Sequence, residues 1–282
     1  LGLPNASSYA SVNQDNDGLT WSYALYAQDS FKATPKLSLE YGLRWELHPP
    51  FDDTGGNITN FDRAVPVTGR VVIPTMKRAT DITAPGFLLS INACPAPAYQ
   101  GIPCTPFLTA KDANWPEGLR YTQWLDFNPR FGFAYRPFGG TKTVIRGAVG
   151  RYTMTVLGSV FYGLTGISSS DVREYTNSIT NGVPLFQLPN ITTGGSGIRT
   201  PTYGSAYFGT AEDPSYKDPY SYQWNLSVER DLGWDTGVRV SYIALRSLQM
   251  PWAPDLNQPK PSTVPYAQRP LTDRPFPYWS RL

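Results

Sequence analysis

Long apolar runs are missing from this 282-residue chain, where no stretch approaches the roughly 18 residues of a membrane-crossing helix. That absence excludes a helical membrane protein and nothing more. Strands that cross a membrane alternate apolar with polar residues and escape such averages, so the mean hydropathy of −0.33 does not argue against a bilayer. An excess of one charge is also lacking. Lys and Arg number 24 against 22 Asp and Glu, which gives no reason to expect nucleic acid as a partner. Histidine occurs once, as His48, which rules out a metal site needing two histidines and leaves one candidate for a Ser-His-Asp triad. With no Gly-x-Ser-x-Gly elbow and no Walker-type loop, neither an enzyme nor a cofactor is expected. His48, beside Pro49 and Pro50 at a strand end, is expected to be a polar rim residue. The two cysteines, Cys94 and Cys104, stand ten apart in a proline-rich stretch with no neighbouring histidine, the pattern of a loop disulfide in an oxidising compartment. A metal pair and two free thiols are the alternatives. Leu1-Gly2-Leu3-Pro4 carries neither an initiating Met nor a secretory signal core, so the chain is expected to be mature or a fragment.

Aromatic residues are plentiful, at 14% of the chain. From Leu37 the residues Leu37, Leu39, Tyr41, Leu43, Trp45 and Leu47 share one parity, while Ser38, Glu40, Gly42, Arg44, Glu46 and His48 take the other. A step of two sends successive side chains to opposite faces of a sheet, so this segment separates an oily from a wet environment along its length. Its length suits a strand crossing an outer membrane, which needs about 9 to 11 residues, rather than the typical soluble strand of about 5 to 6. The preceding segment repeats the pattern with Leu19, Trp21, Tyr23, Leu25, Ala27 and Phe31, with Asp29 intruding on the oily side. Ala33-Thr34-Pro35-Lys36 joins the two as a tight turn. A second pair of strands is expected from Tyr121 to Thr153 about Pro137-Phe138-Gly139-Gly140, and Arg151 on its oily side would have to lie near a headgroup. A third runs from Tyr220 to Leu245 about Leu232-Gly233-Trp234-Asp235, with Ile243 and Leu245 blurring its end.

The connections are asymmetric. Three hairpins near 18–49, 121–153 and 216–249 have short turns, whereas the segments near 50–120, 154–215 and 250–282 are long and rich in Pro, Gly, Ser, Thr and Asn. Outer-membrane barrels pair short periplasmic turns with long extracellular loops. The expected fold is therefore all-β: an antiparallel transmembrane β-barrel segment, about three long hairpins and six or more strands, with long extracellular loops. Six strands fall short of the about 8 in the smallest bacterial single-chain barrels, so the remaining wall is expected elsewhere.

Five phrases in order carry a family resemblance: Tyr23-Ala24-Leu25-Tyr26-Ala27-Gln28-Asp29-Ser30-Phe31-Lys32, Leu37-Ser38-Leu39-Glu40-Tyr41-Gly42-Leu43-Arg44-Trp45-Glu46, Asn128-Pro129-Arg130-Phe131-Gly132-Phe133-Ala134-Tyr135, Thr143-Val144-Ile145-Arg146-Gly147 and Gln223-Trp224-Asn225-Leu226-Ser227-Val228-Glu229-Arg230. Over nearly the whole chain the sequence resembles the barrel of TonB-dependent outer-membrane receptors, particularly the Oar-like group of Gram-negative bacteria. The resemblance implies a 22-stranded barrel plugged by a globular domain, which takes up or displays a bulky ligand with energy passed through TonB. Its implied partners are outer-membrane lipid, the rest of the barrel and the plug, TonB through the missing N-terminal part, and an extracellular ligand. Neither plug nor TonB-contacting box is present in these residues. A passive porin, a secretion-type barrel and a secreted all-β adhesin or carbohydrate-binding protein are the rivals.

On the wet parity, Glu40, Arg44, Glu46, Arg130, Arg136, Arg146, Glu229 and Arg239 are expected to face the lumen, pairing across strands or with a plug. Basic groups placed in lipid would cost about 2 to 4 kcal/mol each near the midplane, which favours the inward assignment. Strand aromatics such as Trp21, Trp45 and Tyr135 suit interfacial girdles. Ligand-contacting aromatics are sought in the loops, at Trp115, Tyr162, Tyr203, Tyr207 and Phe208. Asp15-Asn16-Asp17-Gly18 has the oxygens but not the downstream glutamate of a calcium loop, and is expected to be a solvated turn.

Overall fold

The computed structural model describes residues 4–12, 16–75, 83, 85–155, 158, 162–165, 167, 170–190 and 206–282. Its largest element is a six-stranded antiparallel sheet of β1 (Tyr23–Thr34), β2 (Leu37–Leu47), β3 (Asp126–Tyr135), β4 (Thr143–Thr153), β5 (Tyr220–Gly233) and β6 (Thr236–Leu248). Each strand pairs with the next in the chain, giving an up-and-down meander. With 10 to 14 residues apiece, every strand is long enough to span a bilayer. Short turns close one end of the sheet, and all long connections leave the other.

Register turns the alternation of single strands into two continuous faces. One row runs Phe31, Leu39, Phe133, Gly147, Leu226 and Tyr242 directly across all six strands. The next row on the opposite face runs Ser30, Glu40, Gly132, Ala148, Asn225 and Ile243. Leu25, Phe31, Tyr41, Leu43, Phe131, Leu226 and Val240 are all exposed on the first face, so it is apolar and uncovered by protein. Gly147 is required within its row, because a Cβ there would lie 2.5 Å from the Phe133 ring, which occupies that space. Asp29 does fall on this face, where its carboxylate accepts from the Tyr41 hydroxyl at 3.0 Å and from the Ser30 amide at 2.8 Å. Ile243 and Leu245 are exposed on the polar face.

The β3 strand starts at Asp126 rather than Tyr121, and a proline explains how its first residues pair. Pro129 has no N–H to give, and the β3–β4 ladder ends at Arg130 opposite Gly150, while the β2–β3 ladder continues to Asp126. The missing donor thus points towards β4. Arg151 fills the gap by donating to the Phe127 carbonyl at 2.7 Å, and its guanidinium lies 4.1 Å from the Tyr220 ring centroid. Arg151, expected near a headgroup, is held by these contacts at the strand end.

The buried core lies above the sheet, in the long loops. Strands Asn60–Asp62, Arg70–Ile73 and Phe107–Thr109 form a small mixed sheet, and Trp279–Arg281 pairs with Ala206–Tyr207. Around Phe61 the rings of Phe276, Trp279 and Phe208 gather at 5.1, 5.2 and 5.8 Å, in tilted and edge-to-face contacts. Val71, Phe87, Ile91, Ile102, Tyr278 and Leu282 complete this cluster. Gly69 takes φ +62° under the Phe61 ring, where a Cβ would come within 2.0 Å of it. Residues from all three long connections therefore share one cap. Trp21, Trp124 and Trp252 stand exposed near the strand ends beneath this cap, and Phe138 and Trp234 at the short turns.

Candidate functional site

Six of the eight residues expected on the wet face take up positions that can be stated from their contacts. Glu229 receives Arg146 Nη1 at 2.7 Å on both carboxylate oxygens and also pairs with Arg239, its cross-strand neighbour. Arg44 Nε donates to Glu46 Oε1 at 2.7 Å, and Glu46 Oε2 accepts from Asn128 Nδ2 at 2.7 Å. The Arg130 guanidinium lies 4.9 Å from the Tyr152 ring centroid. Glu40 sits between Ser30 and Gly132 in its row, and Arg136 is exposed just past β3, its amide bonded to the Lys36 carbonyl at 2.8 Å. Exposed pairs of this kind are screened by solvent and contribute little to stability, so their effect is mainly to set the polarity of the face.

The loop aromatics divide. Tyr162 is exposed, and Trp115 is half-buried against the smaller cluster of Ile58, Val72, Leu119 and Leu164. Phe208 is sealed in the cap core with no exposed surface, which corrects its assignment to ligand contact. Tyr203 lies outside the described residues, as does the side chain of Tyr207. Cys94 and Cys104 are joined in a disulfide within the cap. Asp17 accepts from the Thr54 hydroxyl at 2.9 Å and donates its amide to Asp53 at 2.8 Å, so this turn is closed by side-chain hydrogen bonds; Asp15 lies outside the described residues.

Where the sheet meets the cap, the ends of three strands bring charged groups to one level. His48 follows β2, Asp126 begins β3 opposite Glu46, and Asp218 stands two residues before β5. His48 is 8% exposed and the two aspartates 0%, so His48 is no rim residue. Its Nδ1 lies 3.1 Å from Asp218 Oδ2, and Arg120 Nη2 donates to Asp218 Oδ1. Gln123 links the aspartates, accepting from the Asp218 amide at 3.2 Å and donating to Asp126 Oδ1. Arg151 Nη2 reaches the same Asp126 Oδ1 at 3.4 Å, whereas Asp126 Oδ2 is buried with no partner. Arg120 also donates to the Tyr216 carbonyl at 3.3 Å, stacks 5.5 Å from the Tyr216 ring centroid and faces Glu212 at 4.0 Å. Burial pushes Glu212 up from the ordinary glutamate range, with Arg120 opposing the shift and Asp218 and Asp213 adding to it. Burial likewise raises the Tyr216 phenol. None of Arg120, Gln123, Asp126, Glu212 and Asp218 stands out by motif. Their burial is created by segments far apart in the chain.

A family model described as an outer membrane beta barrel domain matches residues 1–282. No curated protein and no solved structure matches the chain.

Proposed function

The chain belongs to the outer membrane beta barrel domain family, and from that premise we propose that it forms part of the wall and extracellular cap of a TonB-dependent receptor of the Oar-like kind. Membership supports an outer-membrane location in a Gram-negative bacterium, and the exposed apolar face is the side the proposal assigns to lipid. Short turns then lie in the periplasm and the cap outside. The proposal adds a 22-stranded, plugged barrel that takes up or displays a bulky ligand with energy supplied through TonB. It gives the chain no catalytic role.

The observation that carries this reading is the shared cap. Three long loops fold over one aromatic core, which is more than a pore for small solutes requires and suits capture of a large ligand above the wall. The paired Arg and Glu side chains of the polar face offer a plug a hydrated, charged surface. An adhesin sandwich would need a second sheet on the apolar face, and Leu25, Leu43, Leu226 and Val240 remain exposed there.

The test is electrical. The full-length parent in a planar bilayer is expected to pass no steady current until denaturant loosens the plug, and to cross-link to TonB when its ligand is bound. Stepwise open-channel current from the untreated protein would make it a passive porin.

A further inference from the structure

We propose that His48, Asp126 and Asp218 form a binding site for a divalent transition-metal ion of the zinc type, which staples the cap to the strand ends. Their candidate ligand atoms all lie within 4.8 Å of one another, in a pocket from which all three side chains are largely or wholly hidden from solvent. Arg120 and Arg151 hold Oδ1 of Asp218 and of Asp126, respectively. Asp218 Oδ2 faces His48 Nδ1 at 3.1 Å, and Asp126 Oδ2 has no partner.

An orphaned carboxylate oxygen with no exposure is costly, because a buried charged group must be met by a partner. A cation would meet it. Ligands around a zinc-sized ion stand about 3.3 to 4.2 Å apart, given bonds of about 2.0 to 2.2 Å, so small side-chain rotations close the group on a shared centre. One imidazole nitrogen with two carboxylate oxygens suits a borderline ion better than calcium, which takes about 6 to 8 oxygens. The arginines and Gln123 would act as outer partners that fix the carboxylates in place. The charges permit it: Arg120 and Arg151 balance the carboxylates of Asp218 and Asp126, so a dication enters a cluster with no excess of positive charge.

The full chain, purified from outer membranes in detergent and stripped with EDTA, should retain one zinc per chain after dialysis against zinc chloride. Asp126→Asn preserves the oxygen that Gln123 and Arg151 hold but replaces the free one with an amide nitrogen. It should lower zinc affinity at least tenfold and abolish the zinc-dependent rise in cap melting temperature. If that variant fails to insert, His48→Gln supplies the same comparison. Retention of no zinc by the wild type, equal retention by wild type and the variant compared, or displacement by a hundredfold excess of calcium would each overturn the assignment.

Discussion

Asp218 has no contact with solvent, so its charge must be met by protein, and Arg120 and His48 meet it from opposite oxygens. Removing one partner of a buried pair leaves the other uncompensated, at a cost of about 3 to 5 kcal/mol. Arg120→Ala should therefore destabilise the cap by that order, read from urea unfolding followed by tryptophan fluorescence. Arg120 also packs on Tyr216, so Arg120→Met, which keeps that packing, separates the charge from the contact. Glu212 responds to pH with a definite sign. Its folded-state value is raised, so its contribution is fully present below the ordinary glutamate range and is lost as pH rises through the raised value. Glu212→Gln should flatten that part of the cap's stability profile, and an unchanged slope above the ordinary glutamate range would remove Glu212 from the explanation. Residues like these were illegible individually. Nothing about the sequence near Arg120 or Asp218 distinguishes them from solvated loop charges, because their burial is created by distant segments, 98 residues apart for that pair.

At the scale of the strand, the alternation from Leu37 to Leu47 specified its own facing, and register across six strands extended it to the whole sheet. A test follows from two adjacent positions. Leu226 lies in the apolar row and Ser227 in the polar one, near the middle of β5. Leu226→Arg places a guanidinium in lipid and should cost about 2 to 4 kcal/mol in folding from urea into phospholipid vesicles, whereas Ser227→Arg should be nearly neutral. Equal costs would mean that the two faces are not lipid and water. Strands were legible because a period of two is a local signal repeated many times. A proline such as Pro129 is legible as a break in a ladder, but only the three-dimensional neighbour, Arg151, shows what becomes of the freed carbonyl.

For the whole molecule, the division is between a wall written in periodic sequence and a cap that is not. The cap core draws Phe61 from the first long connection, Phe208 from the second and Trp279 from the last, with no spacing that links them. Such a core has no local signature, which is why polar, proline-rich loops gave no sign of it and why Phe208 was mistaken for a surface group. The same division predicts how the molecule fails. Trp279 is fully buried against Phe61 and Phe208, and its indole N–H donates to the Thr68 carbonyl at 3.1 Å across the chain. Trp279→Ala removes those ring contacts and leaves that carbonyl unmatched, at a cost of about 3 to 5 kcal/mol. The wall draws its stability from inter-strand ladders and lipid rather than from this core, so it should survive. Limited proteolysis of the variant in outer membranes should cut the segments near 50–120 and 250–282 while β1 to β6 stay intact by mass spectrometry. Cleavage within the strands, or failure to reach the membrane, would instead make cap and wall one cooperative unit, with the aromatic core required before the sheet can insert.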